Sequence, residues 1–134
     1  MKKVLIFIFL IFCFLFVGCS SQEIGVTNLT KSAISDTITK MEDFEKVEKA
    51  EVIVNALGIQ LLIEVPPDFE IRQAQMVGEQ MARILSNQAT NENKKEGLGE
   101  IYDDYNLSIS VTRPNDTMVT YGTKSTTNDS INWD

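Results

Sequence analysis

Hydrophobic residues recur along this chain with different spacings, and each spacing predicts a different element. Residues 4–17, from Val4 to Val17, carry no charge at all. In residues 31–44, Ala33, Ile34, Ile38, Met41 and Phe44 fall on one helical face, with Thr30 placed to cap the first turn. From Lys49 the pattern shortens. Ala50, Val52, Ile53 and Val54, then Ile59, Leu61, Leu62, Ile63 and Val65, form two β-branched-rich runs around Asn55-Ala56-Leu57-Gly58, which predicts a hairpin. Because both runs are apolar at nearly every position, part of this hairpin is expected to be covered on both faces or to sit centrally in a sheet.

Pro66-Pro67 ends the second strand, since proline cannot donate to a ladder, and Asp68 stands where a cap would begin the next helix. That helix is expected over residues 70–88, with Ala74, Val77, Met81, Ile84 and Leu85 as its apolar stripe. Gly78 would let it approach the sheet closely. Residues 87–100 are rich in Asn, Glu, Lys and Gly and predict an exposed loop or a frayed helix end. Leu107, Ile109 and Val111 then alternate with Ser108, Ser110 and Thr112 as in a strand with one wet face. Arg113-Pro114-Asn115-Asp116 supplies a turn, and residues 117–123 a return strand. The tail from Lys124 stays polar until Ile131 and Trp133.

Helix, hairpin, helix, hairpin is the order expected of an α+β fold, a two-layer sandwich with about four strands and both helices on one face (αββαββ). Its final strand, free of proline and internal charge, is expected at an edge. The first five elements, over residues 31–111 with Gly58 between the first two strands, resemble the order of the BON domain. That resemblance implies a small envelope module holding proteins or phospholipid surfaces.

The chain's first residues change the picture. Lys2 and Lys3 precede the apolar run and Gly18-Cys19-Ser20 follows it, the three-part layout of an export signal. The run is too short for the roughly 20 residues of a membrane-spanning helix. Phe16-Val17-Gly18-Cys19 resembles the lipobox of bacterial lipoproteins, with Phe16 where that family usually has Leu. The resemblance implies diacylglyceration of Cys19 and cleavage before it, which anchors the chain on the outer face of the cell membrane through palmitate-like chains. Two such chains hold stably where one binds reversibly. Cleavage after Ser20 by an ordinary signal peptidase, releasing a soluble protein, is the competing outcome. The expected organisation is a signal over residues 1–18, a tether over 19–29, one domain over 30–124 and a tail over 125–134.

Of 134 residues, removing 18 leaves 116, enough for one domain. Losing Lys2 and Lys3 from 12 basic residues, against 19 acidic ones, takes the net charge from −7 to −9. Such a surface repels phosphate, so nucleic acid is not an expected partner. Cys13 belongs to the apolar run, and no disulfide can form within the processed chain.

The chain has no histidine, and an acylated Cys19 offers no thiol. Ser-His and Cys-His catalysis and most zinc sites are thereby excluded, and no cofactor or metal is implied. A carboxylate-pair hydrolase stays open. Tyr102-Asp103-Asp104-Tyr105 is the most suggestive cluster: either a cation or basic partner is held there with Tyr102 and Tyr105 as contacts, or it is a polar loop before a strand. It lacks calcium-loop spacing. Glu42, Asp43, Glu45, Glu48 and Glu51, interleaved with Lys46 and Lys49, read as a solvated helix end. Trp133 either folds back on the domain or serves a partner as an aromatic anchor. The function expected is that of a lipid-anchored extracytoplasmic binding module, whose partner is either a protein of the envelope, as for sporulation or stress lipoproteins, or a foreign transfer machine, as for exclusion or immunity factors of mobile elements. The alternative is a hydrolase of envelope polymers.

Overall fold

The computed structural model describes residues 29–44, 46–90 and 97–134. The expected export signal, Cys19 and most of the expected tether lie outside the described residues. The elements are α1 (Lys31–Glu42), β1 (Lys49–Asn55), β2 (Gly58–Glu64), α2 (Ile71–Thr90), α3 (Ile101–Asp104), β3 (Leu107–Thr112), β4 (Met118–Lys124) and β5 (Asn132–Trp133). They build a mixed α+β domain around one five-stranded sheet, ordered β1-β2-β3-β4-β5. The expectation of about four strands falls short by one, because the tail returns to the sheet as β5.

Local chemistry starts and stops these elements where the sequence allows it. Thr30 Oγ1 accepts from the amide of Ala33 at 3.1 Å and so caps α1. Asp68 does not cap α2. That helix starts three residues later, and Gln73 Oε1 instead accepts from the Glu70 amide at 3.1 Å. The β1–β2 link narrows to Ala56-Leu57, since Asn55 and Gly58 pair across the ladder and Asn55 Oδ1 accepts from Leu57 N at 2.9 Å. Gly58 has φ +145°, and a β-carbon there would run into the Asn106 carbonyl.

β2 and β3 run parallel while every other neighbouring pair is antiparallel. A parallel pair needs a long crossover, which α2 and α3 provide. Ile59, Leu61 and Ile63 on β2 and Leu107, Ile109 and Val111 on β3 turn inward to Met41 of α1 and to Ala74, Met81, Ala82 and Leu85 of α2. Each aliphatic side chain so covered contributes about 1.5–3 kcal/mol. The central place foreseen for the hairpin is taken by β2 alone, and β1 forms an edge.

The edge expected at the return strand is only partly one. Gly122 and Thr123 of β4 pair with Trp133 and Asn132, and Asp134 N donates to Tyr121 O at 2.9 Å. Among the described residues no helix is long and apolar enough to cross a membrane.

Candidate functional site

Tyr102 is not a surface residue. It is fully buried, its hydroxyl donates to the Ala82 carbonyl at 2.7 Å, and burial pushes the phenol's pKa up. The expectation that it contacts a partner is therefore corrected: α3 places Ile101 and Tyr102 inward, and a buried hydroxyl needs the acceptor that α2 supplies. Tyr105 is half-buried and packs on the core's margin, while Asp103 and Asp104 are exposed. The two tyrosines thus share no surface.

Trp133 folds back. It stands across from Gly122 in the β4–β5 ladder, and its indole lies over both Gly122 and Gly78 of α2. Of the two roles foreseen for this side chain, the geometry matches self-packing, with glycines leaving the room a large ring needs.

A wide concavity lies at the end of the sheet where β2 and β3 begin and β4 finishes. It is an open groove of about 970 Å³, bounded by the β1–β2 turn and by the loop that leads from β4 into β5. Its floor is a register row. Gln60 pairs with Ser108, Ser108 with Thr123, and Thr123 with Asn132, so four neutral polar side chains stand in line across β2, β3, β4 and β5. Asn55 and Asn106 add carboxamides at the strand ends, and Asn128 adds one from the loop between β4 and β5. Asn106 Oδ1 already accepts from the Thr126 amide at 3.2 Å, which pins the loop to the start of β3.

Charge is scarce in this groove. Among the described residues, Asp129 is the one carboxylate lining it, and the one cation, Lys124, is turned away. Lys124 is buried, with Nζ donating to the Tyr102 carbonyl at 2.8 Å and the Ser125 carbonyl at 3.1 Å. What remains is a surface of paired donors and acceptors, since each carboxamide and hydroxyl offers both.

Two smaller concavities differ in chemistry. Glu51, Glu64 and Asp116 surround a recess of about 180 Å³ with Lys49, Leu62 and Thr112. Glu51 and Asp116 are exposed, outside the apolar enclosure that gives one carboxyl of a hydrolytic pair its acid role. Among the described residues no group of three or more carboxylates or thiols is arranged to hold a metal ion. Met41, Phe44, Met76, Val77 and Gln80 line an apolar recess of about 210 Å³ between α1 and α2.

Sequence reasoning passed over Gln60, Ser108, Thr123 and Asn132 as candidate residues. Their signal was the kind of polar residue on the wet face of β3, uncharged at Ser108, Ser110 and Thr112 in a chain of which 23% is charged.

No family model matches the chain, and no curated protein matches it. Among solved structures it is similar to the crystal structure of the sex pheromone staph-cAM373 precursor, with a TM-score of 0.48 and 14% identity. That match covers 81% of this chain, which spans 41% of the length of the other.

Proposed function

We propose that this chain is a lipid-anchored binding module on the outer face of the cell membrane, holding another component of the envelope without transforming it. The domain is read as a two-layer sandwich whose helices cover one sheet face and leave the other for recognition. One observation carries the reading: the groove at the end of the sheet is lined mostly by neutral side chains, hydrogen-bonding ones along its floor, with Asp129 as its carboxylate and Lys124 turned inward. Such a surface suits selective holding, because its groups can be satisfied by a matching ligand and not by an apolar one. The export signal and Cys19 support the location, and exclusion or immunity against a transferred element is one process a held envelope partner would serve.

Membrane fractionation of cells making the full chain, followed by affinity capture from the solubilised membrane, tests this. Recovery in the membrane with a reproducible companion supports it. Recovery in the medium without one sinks it.

A hydrolase remains the second reading because Glu51, Glu64 and Asp116 share one recess. Release of soluble fragments from envelope polymers, abolished by Glu64→Gln, would establish that activity over binding alone.

A further inference from the structure

We infer that the groove at the end of the sheet binds an extended, neutral glycan chain. This rests on the reading of the chain as an envelope-binding module and names the ligand class for that groove.

Geometry comes first. Gln60, Ser108, Thr123 and Asn132 are successive partners across four strands, and neighbouring strands lie about 4.8 Å apart. A ligand lying across the strands therefore meets a hydrogen-bonding side chain at each step of that length. The advance is close to that of one sugar ring in an extended glycan. A lone small molecule would use only part of such a row.

Chemistry narrows the class. A sugar hydroxyl both donates and accepts, as do the carboxamides of Gln60, Asn128 and Asn132 and the hydroxyls of Ser108 and Thr123. An anionic polymer would need cations, and the lining's single lysine is occupied with the Tyr102 and Ser125 carbonyls. A cationic ligand would find one carboxylate, Asp129. An extended peptide adding to the sheet would need free backbone groups along an edge, whereas this row crosses strands whose ladder bonds are made.

A ring-stacking surface lies next to the row. Tyr121 is two residues before Thr123 on β4, pairs with Ser110, and so projects from the same sheet face with its side chain exposed. Aromatic faces beside hydroxyl-binding groups hold the apolar C–H face of a sugar while the carboxamides take its edge.

The test titrates soluble N-acetylglucosamine oligomers into the purified full chain in detergent and follows backbone amide shifts. Saturable shifts are expected at Gln60, Ser108, Thr123 and Asn132. Affinity should grow from dimer to tetramer and change little between low and high salt, since no ion pairs form. Gln60→Ala and Thr123→Val, each checked for an unchanged fold by circular dichroism, should each weaken binding about five- to tenfold. Absence of saturable shifts with the tetramer overturns the inference, as do shifts confined to other surfaces or binding that salt abolishes. A protein companion captured from membranes alongside a blank titration would keep the binding-module reading and overturn the glycan. Failure of both experiments would overturn both.

Discussion

The indole of Trp133 closes over Gly78 so tightly that a β-carbon on that glycine would stand 2.8 Å from the ring's Cη2, and 2.9 Å from Cγ2 of Ile109. Helix α2, strand β3 and the returning tail therefore meet at one residue without a side chain. Alanine is the better helix former by about 0.8–1.0 kcal/mol, yet overfilling a packed site costs about 1–3 kcal/mol. Steric cost should win here, because one obstructing atom is a rigid ring and the other a core methyl. Gly78→Ala is expected to destabilise the fold and Trp133→Ala to do so by about 3 kcal/mol, the bottom of the range for a large ring, because this one is only half-buried. Urea unfolding of the two single variants and the double variant checks this: in the Trp133→Ala background, Gly78→Ala should lose much of its cost.

Removing residues 130–134 should act through the same contact. It strips β5 from β4, uncovers Gly122 and frees the Tyr121 carbonyl that Asp134 N engages. A lowered melting temperature is expected, by several degrees for each kcal/mol lost. Unchanged melting with loss of captured membrane partners would show that the tail serves recognition instead.

Local patterning and long-range placement differ in how far the chain reveals them. The alternation of Leu107, Ile109 and Val111 with Ser108, Ser110 and Thr112 and the stripe from Ala74 to Leu85 declare β3 and α2, because burial on one face imposes the period of the backbone. β5 has two residues and no period to detect. α3 hides for a related reason: its two buried residues, Ile101 and Tyr102, are adjacent in an acidic stretch, and only the Ala82 carbonyl on α2 makes an inward phenol satisfactory. The groove is less legible still, since Gln60 and Asn132 become members of one row only once β2, β3, β4 and β5 have found their register.

Tyr102 gives a pH signature. Burial raises its pKa in the folded protein, so near and above pH 10, the ordinary value for tyrosine, the unfolded chain loses this proton while the folded one keeps it. Stability contributed by Tyr102 is complete below that pH and falls as pH rises further. Tyr102→Phe removes both the hydrogen bond to Ala82 and this slope. It should be less stable than the parent by about 1 kcal/mol at pH 7, with the gap narrowing above pH 10. Paired urea titrations at pH 7 and pH 10.5 measure it, and a gap that widens would contradict the sign.

Lys124 holds the groove's loop from inside. Its ammonium joins the carbonyl of Tyr102, in α3, to that of Ser125, the first residue after β4. Lys124→Met keeps much of the aliphatic stem but leaves both carbonyls without that donor, at a cost of about 1–3 kcal/mol. Amide exchange should quicken across residues 125–131, where the loop loses its anchor, while β2 and β3 stay protected. If exchange instead rises evenly over the whole sheet, Lys124 supports the fold generally and has no particular hold on the loop.

The anchor stands or falls on one atom. If Cys19 carries the lipid, Cys19→Ser leaves the full-length precursor uncleaved or slowly cleaved, and the parent chain begins at a diacylated Cys19 that partitions into detergent. Two acyl chains account for retention, since each buried methylene adds about 0.8 kcal/mol and a single chain binds only reversibly. Mass spectrometry of the mature N-terminus reads the outcome directly. A chain starting unmodified at Ser21 would mean ordinary secretion, and the sheet's groove would then have to find its ligand in solution rather than within reach of the membrane.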